Sequence, residues 1–238
     1  MTFTPDPEGP SMQPVENNID LRVNASFVAA HERVALHFLA SRLPRWVTPD
    51  ALTVFGVFGG GVVMVGYWLS RSDPVWLWLA NLGLVFHWAG DSLDGTLARL
   101  RHIERPRYGF YLDQVIDALG NVMLAIGVGF ATQARMGLAL FVLATFHMLS
   151  IQVYVRAIVD REFHLAVGRL GPTEMRIGII VMNIGILVLG APHWRILGVA
   201  MTWCDLLMLV TGIGLLVLYG FQMRRHLIRF AQEDPPRQ

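Results

Sequence analysis

The sequence predicts an all-α, polytopic membrane protein with six transmembrane helices and an N-terminal amphipathic helix at the interface. Of its 238 residues, 54% are hydrophobic and only 16% are charged, and the mean hydropathy is +0.47. This composition excludes a disordered chain and argues against an ordinary water-soluble domain. Six apolar segments approach the roughly 20 residues needed to cross a bilayer. They are 49–69, 74–99, 108–132, 137–158, 176–192 and 204–223.

The arginines supply an independent indication of topology. All nineteen Lys-plus-Arg residues are arginine, and sixteen lie before the first segment or near the linkers that follow the second, fourth and sixth. Because cytoplasmic loops carry an excess of cations, both termini are predicted to be cytoplasmic. A chain without lysine is also typical of a GC-rich genome, and we expect a bacterial inner membrane.

The ends of the chain differ from its centre. Residues 1–23 are predicted to form a disordered cytoplasmic tail, since residues 1–20 hold four prolines and four acids and lack the cationic and apolar regions of a signal peptide. Residues 24–43 mix apolar and charged side chains, as an interfacial amphipathic helix does. The membrane domain is predicted to cover 24–228, and a second tail 229–238.

Several kinds of chemistry are excluded by composition. The single cysteine, Cys204, cannot form an intrachain disulfide, and no Cys/His spacing resembles a zinc site. The absence of lysine removes Schiff-base and P-loop chemistry. We expect no nucleic-acid partner for a chain whose formal net charge is +1.

Four aspartates mark the candidate site. Asp91 and Asp94 lie near the cytoplasmic end of the second apolar segment, and Asp113 and Asp117 near the start of the third. Carboxylates at membrane depth are costly and usually functional. Helical spacing places each pair on one face, and the antiparallel hairpin sets Asp91 opposite Asp117 and Asp94 opposite Asp113. We expect the four to bind two divalent cations, Mg²⁺ or Mn²⁺.

The same region resembles the signature of the class I CDP-alcohol phosphatidyltransferases, which are membrane phospholipid synthases. That signature is D-x2-D-G-x2-A-R, eight or nine residues, then G-x3-D-x3-D. Every fixed position is filled here, by Asp91, Asp94, Gly95, Ala98, Arg99, Gly109, Asp113 and Asp117. A weaker similarity begins at Pro49, where the family often has P-N-x-x-T-x-x-G; Asp50 replaces the asparagine and Thr53 keeps the threonine.

The resemblance implies a phosphotransferase that releases CMP. The four aspartates would hold the metals that bridge the donor pyrophosphate, and Asp117 would also take the proton of the acceptor hydroxyl. The nucleotide and its phosphates would lie against five further residues, which are Gly95, Ala98, Arg99, Gly109 and Thr53. Helix packing and charge anchoring are the simpler interpretations of the glycines, the alanine and the arginine.

The acceptor is less constrained. In some family members arginines between the fourth and fifth segments bind an acceptor phosphate, and the residues of this region are Arg156, Arg161, Arg169, Glu174 and Arg176. CDP-diacylglycerol is favoured as donor to an alcohol acceptor. The alternative is a choline/ethanolamine-type enzyme that uses a CDP-linked small alcohol and diacylglycerol. Gly171-Pro172-Thr173-Glu174 resembles its G-P-x-E segment, whereas Gln114 stands where it commonly has histidine.

Three further interpretations stay open. A divalent-cation transporter would also need intramembrane carboxylates, but residues 74–90 contain only Asn81 and His87 as strongly polar groups. His87 is interpreted as a core histidine in preference to a ligand. A homodimer is plausible because glycines allow close helix contact, yet the same glycines suit internal packing; they are Gly59, Gly60 and Gly66.

Overall fold

A computed structural model describes residues 29–131, 133–160, 172–196 and 198–235. These residues form seven α-helices, a single 3-10 turn at Pro74–Trp76, and a two-stranded hairpin. The helices are α1 (Ala29–Arg42), α2 (Pro49–Leu69), α3 (Leu77–Leu100), α4 (Pro106–Phe130), α5 (Met136–Asp160), α6 (Pro172–Leu189) and α7 (Trp203–Glu233). α7 continues beyond the domain boundary predicted at residue 228.

The helical membrane architecture is confirmed, while the number of crossings stays a prediction. Among the described residues, α2, α4, α5 and α7 are long and apolar enough to span a bilayer. α3 is not in that group, and it carries two acidic residues and an arginine of the signature. The apolar part of α6, Met175–Leu189, is short. The six helices after α1 match the six predicted apolar segments to within four residues at each end, except that α7 ends ten residues beyond the sixth segment.

A small hairpin departs from the all-α prediction. Strand β1 (Trp194–Ile196) pairs antiparallel with β2 (Val199–Met201) between α6 and α7. Gly198 has φ +80°, a backbone conformation that glycine adopts at no steric cost. Three-residue strands are too short to show a sequence period, so composition could not indicate them.

α2 and α3 pack through glycines, and this contact positions the site. A β-carbon added at Gly59 would lie 2.9 Å from the Gly83 carbonyl oxygen, and one at Gly90 would lie 2.6 Å from the Leu52 carbonyl oxygen. Gly66 lies against Ala80 in the same way. Small residues let helix backbones approach closely in a membrane. Because Gly59 and Gly66 serve this internal contact, they no longer support the predicted homodimer.

Gly59→Ala is expected to destabilise the folded protein by about 1–3 kcal/mol, because its methyl group would overlap the α3 backbone. Gly61→Ala on the same helix is the matched control, since its β-carbon would meet only a methionine methyl group at 4.0 Å. Thermal unfolding in detergent measures both variants. Equal melting temperatures for the two would contradict the proposed close approach.

Polar groups link three helices in the core. The Tyr67 hydroxyl of α2 donates to Asn183 Oδ1 of α6 at 3.0 Å, and Asn183 Nδ2 donates to Asn81 Oδ1 of α3 at 2.7 Å. Tyr67 and Asn183 are almost fully buried. Hydrogen bonds of this kind hold α6 beside α2 and α3. Cys204 lies in the same core, 1% exposed and free.

Side chains cap the starts of α2 and α7. Thr48 Oγ1 accepts from the Ala51 amide at the start of α2, with Pro49 in the first turn. Thr202 and Asp205 form a capping box at the start of α7. Asp205 also accepts from the Arg135 amide, so this buried carboxylate joins α7 to the loop before α5.

The N-terminal helix α1 lies against α3. Leu36 and Ala40 pack with Leu93 and Leu97, whereas the opposite face exposes apolar residues such as Val34. This arrangement fits a helix at the bilayer interface. The following loop is held by the Arg101 guanidinium, which donates to the carbonyls of Leu43, Pro44, Arg45 and Val47. Residues 24–28 of the predicted helix lie outside the described part.

Candidate active site

Three aspartates converge between α3 and α4. Asp91 of α3 and Asp113 and Asp117 of α4 each present a carboxylate oxygen within 4.8 Å of the other two. All three side chains are partly buried. Asp113 and Asp117 are four residues apart on α4 and so lie on one face of that helix, which turns towards α3. We call these three residues the carboxylate cluster.

Asp94 lies beside the carboxylate cluster in a more restrained position. Its Oδ2 accepts the Thr53 hydroxyl of α2 at 2.6 Å, and its Oδ1 accepts the Gly95 amide at 2.5 Å. A small cavity joins it to Asp91 and Asp113; the full lining is Thr53, Gly56, His87, Asp91, Asp94, Asp113 and Ile116. Three of the four predicted aspartates therefore border this cavity, and the fourth, Asp117, is next to them through the carboxylate cluster. The Thr53 hydroxyl orients Asp94.

His87 enters this cavity although its sequence position did not distinguish it from a core histidine. It precedes Asp91 by one helical turn on α3. Its Nδ1 atom is buried and has no hydrogen-bond partner among the described residues. The ring also fills the space over Gly120 of α4, where a β-carbon would collide with it. The useful signal was its spacing of four residues from Asp91.

Arg176 reaches the carboxylate cluster from α6. It donates from a guanidinium NH2 group to Asp91 Oδ2 at 2.8 Å, and the two side chains are only 12% and 22% exposed. Arg176 was predicted to contact the acceptor in a cytoplasmic linker, and the structure places it at the cluster itself. Its partner lies 85 residues earlier in the chain, so spacing could not indicate the pair.

Of the other predicted acceptor residues, the structure describes the side chain of Arg156 only. Arg156 pairs with Asp160 at 3.1 Å near the end of α5, and Arg229 of α7 binds the same carboxylate. Arg161 and Arg169 lie outside the described part of the chain, as does the side chain of Glu174.

The predicted nucleotide-side residues surround the end of α3. Arg99 is exposed and folds back over Gly95, where an added β-carbon would lie 3.3 Å from its NH1 atom. Ala98 is partly buried, and Gly109 is exposed at the start of α4 with nothing within 4 Å of an added β-carbon. Open space therefore adjoins Gly109, whereas the Arg99 side chain covers Gly95. Thr53 lines the cavity.

Comparison with known proteins identifies the fold family. The family model described as CDP-alcohol phosphatidyltransferase matches residues 46–211. The chain belongs to the CDP-alcohol phosphatidyltransferase family. The match covers α2 to α6 and the start of α7, and so includes every signature residue.

Two curated members of the CDP-alcohol phosphatidyltransferase family resemble the chain. Cholinephosphotransferase 1 from Danio rerio is 26% identical over 192 residues, which cover 74% of this chain and 48% of that protein. Cholinephosphotransferase 1 from Gallus gallus is 27% identical over 171 residues, covering 66% and 48%. The chain thus spans about half the length of these relatives. Since both are vertebrate proteins, the expected bacterial membrane gains no support.

Two hydrogen-bonded groups support the carboxylates of this family member. Gln114 Nε2 donates to Asp113 Oδ2 at 3.0 Å, and the Tyr154 hydroxyl of α5 donates to Gln114 Oε1 at 2.6 Å. On the α3 side, Glu32 Oε1 accepts from Trp88 Nε1 at 2.7 Å and from Thr173 Oγ1 at 2.8 Å. The sequence did not indicate the role of Tyr154, because its partner Gln114 lies 40 residues away on another helix.

Tyr154→Phe is expected to weaken catalysis by about tenfold. Groups that hold a metal-binding side chain in position through hydrogen bonds typically contribute 10–100-fold to metal affinity or activity. The change frees Gln114 Oε1 and loosens its orientation of Asp113. Tyr111→Phe on α4 is the matched control, because Tyr111 is 70% exposed. Mn²⁺ titration and CMP release measure the effect. Identical behaviour of the two variants would show that Tyr154 has no supporting role.

Asp50, where the family often has asparagine, has its own partners. Its carboxylate accepts from Arg105 at 2.5 Å, and the Arg105 guanidinium stacks over the Tyr108 ring at 3.9 Å. The hydrogen bond to Asp50 raises the pKa of Arg105 above its usual value. The pair ties the start of α2 to the start of α4, at the side of the cavity where the nucleotide is expected.

Proposed function

We propose that this protein transfers a substituted phosphoryl group from a CDP-linked donor to an alcohol hydroxyl and releases CMP, using two divalent cations, Mg²⁺ or Mn²⁺. The observation that carries the proposal is the convergence of Asp91, Asp113 and Asp117 at signature positions of the family. Carboxylates that meet in a poorly hydrated space repel one another unless cations neutralise them.

The residues fit such metals. The cluster offers hard carboxylate oxygens, which suit Mg²⁺ and Mn²⁺ better than softer ligands would. Asp91, Asp113 and Asp117 would hold the ions together with Asp94, whose orientation is set by Thr53. Bound metals supply electrostatic stabilisation for the diphosphate and for the departing CMP.

The chain's own groups perform the remaining steps. Asp117 accepts the proton of the acceptor hydroxyl as that oxygen forms a bond to the phosphorus distal to the cytidine. The bond from this phosphorus to the bridging oxygen breaks, and the electron pair leaves with CMP. Arg99, which lies over Gly95, and the open space at Gly109 are suited to the nucleotide phosphates. No covalent enzyme intermediate is required.

Two donors remain candidates, each with its own support. CDP-diacylglycerol with an alcohol acceptor is favoured by Gln114, which occupies the place where choline and ethanolamine phosphotransferases commonly have histidine. A CDP-linked small alcohol with diacylglycerol is favoured by the named relatives, both cholinephosphotransferases. Gly171-Pro172-Thr173-Glu174 supports the second candidate too. We propose in either case a site that opens to the cytoplasmic side, with both termini there.

One assay distinguishes these functions. Purified protein in nanodiscs receives Mn²⁺ and either radiolabelled CDP-diacylglycerol with a panel of alcohols, or labelled CDP-choline and CDP-ethanolamine with diacylglycerol. We expect CMP release with one donor class and a lipid product that names the head group. Absence of CMP release from every combination of donor and acceptor would refute the proposed enzymatic function. Uptake of Mn²⁺ into sealed proteoliposomes would then favour the cation transporter.

A further inference from the structure

The carboxylate cluster already contains a positive charge contributed by the chain. Arg176 donates to Asp91 Oδ2 at 2.8 Å, and both side chains are largely removed from solvent. Ion pairs in such surroundings are screened little by water or salt. Arg176 thus binds Asp91, and a carboxylate oxygen of Asp91 lies within 4.8 Å of carboxylate oxygens of Asp113 and Asp117.

We infer that Arg176 is an internal counter-cation that competes with the divalent metals for Asp91 and leaves it when they bind. This inference rests on the proposed metal-dependent function. A metal among these carboxylates would lie close to the guanidinium, and the two positive charges would repel each other. The cluster therefore has two alternative states, one in which Arg176 offsets the charge of Asp91 and one in which metal binds the carboxylates.

The surrounding contacts fix the helix that carries Arg176 while leaving the side chain able to turn. Thr173, one turn earlier on α6, is bound to Glu32, which also binds Trp88, one turn before Asp91 on α3. Further along α6, Asn183 is bound to Tyr67 and Asn81. Because α6 is held at both places, displacement of Arg176 requires rotation of its long side chain and not movement of the helix.

The displaced guanidinium would have a second use. It would remain beside the cluster, where the phosphate oxygens of a CDP-linked donor are expected. Arginine binds phosphate well because its planar group donates several parallel hydrogen bonds. Metal binding thus releases an anion-binding group that is otherwise occupied by Asp91. The site would load metal first and donor second, and it would bind the anionic donor poorly before the metals arrive.

The test measures Mn²⁺ binding and does not depend on turnover. Full-length protein in nanodiscs is stripped with chelator and titrated with Mn²⁺, and free Mn²⁺ is followed by its electron paramagnetic resonance signal. Arg176→Gln is expected to bind Mn²⁺ about tenfold more tightly than the parent protein. Without the Arg176–Asp91 ion pair, a larger fraction of the protein is in the state that can bind metal. Arg176→Lys keeps the charge and should stay close to the parent protein.

Two further variants keep the result interpretable. Arg176→Met retains the aliphatic stem and should also bind Mn²⁺ more tightly, which covers the case in which Arg176→Gln fails to fold. Arg107→Gln, at an exposed position of α4, removes one positive charge away from the cluster and should leave Mn²⁺ affinity unchanged.

The outcomes separate the inference from the function on which it rests. If the parent protein binds Mn²⁺ while Arg176→Gln and Arg176→Met bind it equally or more weakly, the competition is refuted and the metal centre stands. If the parent protein and these variants all fail to bind Mn²⁺, the metal centre and the competition are both refuted. Tighter binding in the Arg107→Gln control as well would assign the effect to general surface charge and overturn the specific role of Arg176.

Discussion

Asp117→Asn is expected to lower the turnover rate by about 100-fold to 10,000-fold, the usual contribution of a general base. Asparagine keeps the size of the side chain and one carbonyl oxygen, but it cannot accept the hydroxyl proton. Because Asp91 and Asp113 remain in the cluster, binding of Mn²⁺ and donor should fall much less than turnover. Single-turnover CMP release and Mn²⁺ titration measure the two effects separately.

Asp73→Asn is a suitable control for this prediction. Asp73 caps the short helical turn before α3, accepting from the Val75 amide, at the other end of that helix from the cluster. Asparagine caps helix starts about as well as aspartate, so its turnover should match the parent protein. Near-normal turnover by a folded Asp117→Asn enzyme would show that Asp117 is not the general base.

Asp94→Ala is expected to show the opposite pattern, with metal-dependent donor binding weakened by about 10–100-fold. The change removes a carboxylate from the cavity and leaves the Thr53 hydroxyl without its acceptor at 2.6 Å. Donor binding is measured at a series of Mn²⁺ concentrations. An unchanged Mn²⁺ dependence would show that Asp94 is not a metal ligand.

Thr53→Val tests the orientation of Asp94 separately from the role of Asp94 as a metal ligand. Valine has the shape of threonine but cannot donate to Asp94, so the carboxylate stays and its restraint is lost. We expect Mn²⁺ affinity to fall about tenfold, less than in Asp94→Ala, because the carboxylate remains and only the hydrogen bond that orients it is lost. If Thr53→Val is as damaging as Asp94→Ala, the hydroxyl itself has a direct role with metal or nucleotide.

The convergence of the aspartates could be predicted because it depends on local geometry. Two consecutive antiparallel helices with acids spaced by three and four residues must place those acids along one seam. The start of α2 at Pro49 was also predicted, since a helix start depends on a few adjacent residues. Family membership follows from the same short signature.

What could not be predicted depends on packing between distant segments. Arg176 and Tyr154 meet the site only because α6 and α5 pack beside α3 and α4, and their hydrogen-bond partners lie 85 and 40 residues away. Hydropathy places a helix in the bilayer but does not choose its neighbours or its rotation. For the same reason the arginines between α5 and α6 were grouped together, although Arg156 and Arg176 have different partners.

The position of Cys204 offers a practical route to the topology. Its thiol is free and the residue is 1% exposed in the helical core, so a membrane-impermeant maleimide should not modify the folded parent protein. A cysteine introduced at an exposed loop position would then be the sole reactive thiol. Labelling of intact cells at Arg71→Cys, but at Arg105→Cys only after permeabilisation, would establish which surface of the bilayer each loop occupies.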